Sequence, residues 1–443
     1  MSGTQRIAAA VTAVLVVAIA AVVLLSSPGG PIGGGVASPA GSGTASPSVS
    51  ASPSAGSTTE ASSSASPSSD EEETLAALRE IEDQVIALRG LARAHIGDPD
   101  IITREELVDE LRSVFDEEYP PEDRARDNAA LRALGLLEPG QDVAELQLQL
   151  LGDQVLGFYD DVDKRMVVVS DAGLDPEAKM TYAHEYTHAL QDANFGLDTL
   201  QTDAVGEDDR ALARTALIEG DASITMQAWA FQHLSQQELI EIARGADAPD
   251  TTGVPSWMVD QLLFPYTTGQ LWVSSLAGDD PLFHPEFAAI DAAWADPPDT
   301  TEQVMKPGAW SPREDAVPVE VPDLAAELGD GWDAVDTTPI GQASIEIFLQ
   351  YHGVGVDAAR TAAAGWGGDR VTIASGPDDA FAVAWILAWD TPADAAEFAD
   401  AYRNALDALP FPASVTELPS GEILVAHASD DALLDQVETI AGG

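Results

Sequence analysis

The chain has 443 residues, room for two ordinary domains and additional segments. It carries 75 acidic against 20 basic side chains, a formal charge of −55, which repels nucleic acid and anionic lipid head groups and leaves solubility and salt tolerance as its plainest consequence. With no cysteine, disulfides, thiol nucleophiles and Cys-ligated zinc are all excluded, so any metal must be held by His, Asp or Glu.

Arg6 precedes an apolar stretch, Ile7–Leu25, interrupted only by Thr12. About 20 apolar residues span a bilayer, whereas a cleavable signal core has roughly 7–15. Residues 1–25 therefore read as a single-pass transmembrane signal-anchor with Arg6 and the amino terminus inside. A signal cleaved near Ala37 is the alternative, giving a secreted protein; in both cases the body is extracytoplasmic. Residues 26–69 are rich in Ser, Pro, Gly, Ala and Thr and bury too little surface to fold, so a disordered stalk is expected. No internal repeat suggests a solenoid.

Order begins near Asp70. Leu75, Leu78, Ile81, Val85 and Leu88 recur at three and four residues, as an amphipathic helix requires. A second helix follows Thr103, an N-cap with Glu106 three residues on. Val155–Tyr159 and Met166–Val169 flank a polar turn and read as a β-hairpin. Asp175-Pro176-Glu177 combines an N-cap, a proline at the first helical position and an acid in the first turn, a strong helix start. A loop over 195–207 leads to a long helix over about 208–234. Towards the end, 370–374, 381–389, 413–418 and 423–427 read as strands, with helices at 393–409 and at the carboxyl terminus. The expected class is α+β and helix-rich, with one domain over 70–335 and a smaller α+β region over 336–443.

The chemistry sits on the helix opened at Asp175. His184 and His188 are four apart, so both imidazoles can face one ion, and Glu185 beside the first can act as general base on zinc-bound water. A catalytic zinc takes three protein ligands, and the best third candidate is Glu219, on a helix face shared with Leu212, Ala216, Ala222, Ser223 and Met226 that reads as buried. A buried carboxylate is unfavourable unless paired, and a cation would pair it; a bridge to Arg214 is the alternative. Gly220 suggests close approach of another backbone. Asp192 and Asp221 are candidates to orient an imidazole N–H. Tyr266, in Phe264-Pro265-Tyr266, could stabilise an oxyanion, or serve only as a core tyrosine. The histidines at 95, 233, 284, 352 and 427 lack ligand spacing.

Thr181-Tyr182-Ala183-His184-Glu185-Tyr186-Thr187-His188-Ala189-Leu190-Gln191-Asp192, with Glu219-Gly220-Asp221-Ala222 downstream, resembles zinc metallopeptidases of the gluzincin type. The likeness is closest to a little-characterised bacterial family of exported or membrane-anchored metallopeptidases. It extends through Leu156–Tyr159, Phe264–Tyr266, Pro297–Gln303 and Gly365–Arg370, with two departures: Lys306-Pro307 where a His-Pro is usual, and Gln342 where a glutamate is usual. The resemblance implies one zinc per chain on His184, His188 and Glu219, Glu185 as base, and a zincin-like core in which the 155–169 hairpin supplies a strand along the cleft. The expected substrate is a peptide or protein, with membrane contact through the N-terminal helix only. A catalytically inactive zinc protein and a metal-free envelope binding protein are the rival readings.

Overall fold

The computed structural model describes residues 69–443, apart from 153–156, 170–173, 203, 246–250 and 307. The first helix, α1 (Ser69–Arg89), buries Leu78, Ile81 and Val85 on one face. After a short strand, β1 (Asp100–Ile102), Thr103 caps α2 (Arg104–Glu118) in a reciprocal capping box with Glu106. Helices α3 (Pro121–Ala133) and α4 (Val143–Gly152) follow.

The expected hairpin is present as β2 (Gly157–Asp160) and β3 (Arg165–Val169), paired antiparallel with Tyr159 opposite Met166. β1 joins β3 in parallel, giving the order β1-β3-β2 and leaving β2 at an edge of this sheet. Alternation along β3 buries both faces: Met166 and Val168 pack with Met180 and Ala183, whereas Val167 and Val169 pack with Leu107, Phe115 and Trp257.

Asp175 caps α5 (Pro176–Phe195) by accepting from the Ala178 amide, and Pro176 stands where its missing N–H is harmless. The helix is buried from Met180 to Gln191. Helix α6 (Asp208–His233) is buried from Ala216 to Ala230 and packs against α5. Helix α7 (Gln236–Gly245) and α8 (Ser256–Phe264) lead into a π-helical turn, Pro265–Gly269, and α9 (Gln270–Leu276). This turn crosses α6 closely. A Cβ on Gly269 would lie 2.7 Å from Ala216 Cβ and 2.9 Å from Ala216 O, and one on Gly220 only 3.0 Å from Gly269 O. Both glycines are there because two backbones meet.

Three short helices, α10 (Ala288–Ala295), α11 (Thr301–Met305) and α12 (Leu324–Leu328), precede the C-terminal unit. Its strands are β4 (Asp333–Thr338), β5 (Trp366–Ser375), β6 (Phe381–Trp389), β7 (Ala413–Glu417) and β8 (Ile423–Ala428), in an antiparallel sheet of order β4-β5-β6-β8-β7. Helices α13 (Gly341–Tyr351), α14 (Val356–Ala363) and α15 (Pro392–Ala405) cover one face and α16 (Asp431–Gly442) the other. The helix α3, distant in sequence, also packs on this sheet through Ala130 and Ala133. The fold is thus mixed helix and sheet with helix predominating, an α+β arrangement.

One expectation is corrected. Among the described residues no helix is long and apolar enough to cross a membrane, so the expected transmembrane helix is not found there. The apolar stretch Ile7–Leu25, and the stalk except for its last residue, lie outside the described residues.

Candidate metal centre

Helix α5 turns His184, Glu185 and His188 into the interior, and α6 brings Glu219 against them. His184 is fully buried, Glu185 and Glu219 are each 2% exposed and His188 7%. The Nε2 atoms of His184 and His188 are 3.0 Å apart; Glu219 Oε2 lies 3.2 Å from the first and 3.5 Å from the second. These three atoms form a nearly equilateral triangle. Ligands at ~2.0–2.1 Å from one tetrahedral ion are separated by about 3.3 Å, so the spacing fits zinc's ligand geometry.

The surroundings favour a positive charge at the centre of that triangle. Burial opposes the Glu219 charge, but the imidazoles of His188 and His184 outweigh it and hold the carboxyl below its usual range. Burial likewise opposes protonation of His188, yet Glu219 and Glu185 push it up to about 9. His184 is lowered, chiefly by burial and also by His188.

Glu185 is held separately. Its Oε2 accepts the Tyr159 backbone N–H of edge strand β2 at 2.9 Å, while Oε1 is buried without a partner. Desolvation pushes this carboxyl up to about 8, with Glu219 adding to the rise and His188 opposing it.

Behind His188 lies a polar network. Gln191 Oε1 is 2.9 Å from His188 Nδ1, and Gln191 Nε2 donates to Ile218 O at 3.0 Å and to Asp221 Oδ2 at 3.2 Å. Asp221 is fully buried and accepts Arg89 Nε at 2.9 Å and Trp294 Nε1 at 2.9 Å. The same guanidinium reaches Asp291 at 2.7 Å and lies over the Phe287 ring. Asp221 therefore acts on the imidazole through Gln191. Asp192 does not face either imidazole; it accepts the Tyr159 hydroxyl at 2.8 Å and pairs with Lys164.

Arg214 is bound to Leu200 O, Pro298 O and Asp299, and Glu219 faces the imidazoles instead. Tyr266 is buried in the apolar cluster that holds Ala183 and Met226, on the π-helical turn that crosses α6. Gln191 and Arg89 escaped the sequence reading, although both had a signal. Gln191 follows His188 by three on the buried face of α5, and Arg89 follows Val85 by four on the buried stripe of α1.

A family described as Domain of unknown function (DUF8575) matches residues 327–433, from the end of α12 into α16. The match does not include His184, His188 or Glu219. No curated protein and no solved structure matches the chain.

Proposed function

We propose that this protein is a zinc-dependent hydrolase of peptide bonds, with one zinc held by His184, His188 and Glu219 in a zincin-like core. The observation that carries the reading is the triangle of Nε2, Nε2 and Oε2 atoms at 3.0, 3.2 and 3.5 Å, matched to the reach of one tetrahedral ion. The core assignment draws support from edge strand β2 lying against α5 and from α6 supplying the third ligand.

Zinc bound there would supply a water of lowered pKa and a Lewis acid for the scissile carbonyl. Glu185 provides the base. The Tyr159 amide fixes Oε2, leaving Oε1 to take a proton from the attacking water and return it to the leaving amine. A nearby cation favours the ionised carboxyl, offsetting the rise caused by burial. Tyr266, buried in the apolar cluster with Ala183 and Met226, is given no step here, and the packing of α5 against α6 keeps the ligand side chains out of bulk solvent.

The test is Glu185→Gln, analysed for zinc and for digestion of an unbiased peptide library beside the wild type. Retained zinc with lost hydrolysis is expected; undiminished hydrolysis would remove Glu185 from the base role. A second reading, an inactive zinc protein, is favoured by the depth of the site, where His184, Glu185 and Glu219 are all but sealed. Wild-type protein that holds zinc and cleaves nothing in the library establishes that reading instead.

A further inference from the structure

A cavity of about 240 Å³ lies where α3, α6 and α8 meet α13 and the five-stranded sheet. A single water needs roughly 10–15 Å³ by the same measure, so the space suits an organic molecule. Its walls are largely apolar, with Leu131, Leu262, Ile347, Phe348, Trp257 and Trp385 contributed from both units of the fold. No ligand of the metal centre lines it.

Its charged groups are all acidic, beside neutral Gln, Thr and Ser side chains. Asp336 and Thr338 of β4 stand opposite Ile373 and Val371 of β5, so a carboxylate occupies the sheet face that is otherwise part of the apolar wall. Asp127 and Asp208 also line the space, and among the described residues no Lys, Arg or His does. Gln147 adds an amide oxygen that is buried without a partner. Arg126, which attracts Asp336, is bound to Asp123 at 2.9 Å and lies 3.6 Å from Asp127. Desolvation raises the Asp336 carboxyl and the charge of Asp127 adds to it, against the hydrogen bond that Asp336 accepts from the Thr337 N–H at 2.8 Å and the charge of Arg126. A cation beside this half-buried carboxylate would further stabilise its charged form next to the apolar walls.

We propose that this cavity is a binding site for small organic ammonium ions, with the ammonium against Asp336 and the hydrocarbon body against Phe348 and Trp257. An ammonium brings three N–H donors and no acceptor, the complement of a lining rich in acceptors. A carboxylate of the same shape meets only like charge, and an alcohol brings one donor and no charge.

The test is calorimetric titration of the full chain with n-hexylammonium, hexanol and hexanoate in 0.15 M salt, which screens the acidic surface. Saturable one-to-one binding of the amine is expected, about tenfold or more tighter than hexanol, with no binding of hexanoate; a charged hydrogen bond is worth that ratio. Asp336→Asn should bring the amine down to the affinity of hexanol, and Leu262→Trp, which fills the space, should abolish both. If Asp336→Asn does not fold, Gln147→Leu, which deletes the unpartnered acceptor, should weaken the amine severalfold. Hexanol binding as tightly as the amine, no saturable amine binding, or amine binding untouched by Leu262→Trp would each overturn the proposal.

Discussion

Gln191 presents its amide oxygen to His188 Nδ1 at 2.9 Å, and this contact determines which nitrogen of His188 is free to hold a metal. The orientation of the amide is dictated from the other side. Ile218 O and the Asp221 carboxylate can only accept, so the Gln191 NH2 must face them and its oxygen must face the imidazole. His188 Nδ1 therefore carries the hydrogen, and the lone pair at Nε2 points at the space shared with His184 and Glu219.

Gln191→Leu should consequently weaken zinc binding by roughly 10–100-fold, the usual effect of removing a group that orients a metal-bound histidine. Competition against a chelator measures this, with far-UV circular dichroism checking that the helices persist. Unchanged affinity in a folded variant would mean that Gln191 does not set the His188 tautomer.

The contact between α6 and the π-helical turn makes a different prediction. Gly269→Ala places a methyl group 2.7 Å from Ala216 Cβ and 2.9 Å from Ala216 O, and the main chain must move to admit it. Urea denaturation should show a loss of ~1–3 kcal/mol, typical of forced overpacking. Because α6 also carries Glu219, zinc affinity should fall as well. A neutral substitution would show that the two backbones are not in the close contact described.

Acid should weaken the C-terminal unit through a buried histidine. His427 Nδ1–H donates to Ala133 O at 2.9 Å, and its Nε2 accepts the Tyr402 hydroxyl, so the neutral ring is fully satisfied. Burial lowers its pKa to about 4, and His352 nearby is lowered to about 4 for the same reason. An unfolded chain takes up these protons near pH ~6.5, whereas the folded unit refuses them until about 4. The stabilisation is present above pH ~6.5 and is lost as pH falls towards 4, by roughly 3 kcal/mol for His427. Urea midpoints at pH 7 and 4.5 should show this loss reduced in His427→Gln; an identical pH dependence would remove His427 as its source.

Much of the centre could be read from residue spacing because its parts lie on two helices. Four-residue separation places His184 and His188 together, and a carboxylate on the buried face of α6 invites a cationic partner. The helix start at Asp175, the hairpin and the capping box at Thr103 are local and equally legible. What spacing does not reveal is long-range company. Arg89 meets Asp221 across 132 positions, β1 is only three residues long, and β4 acquires its identity from β5 rather than from its own Asp- and Thr-rich sequence. The packing of α3 on the C-terminal sheet is likewise a tertiary fact with no local signature.

The proposed zinc site rests on His184, His188 and Glu219 acting together as its ligands. Its most direct test is elemental analysis of the purified, zinc-equilibrated protein beside Glu219→Ala, with chelator in the wash to strip weakly held metal. One zinc per wild-type chain and almost none in the variant are expected, with added zinc raising the melting temperature of the wild type alone. Wild-type protein that retains no zinc, or a Glu219→Ala protein that retains as much, would contradict it.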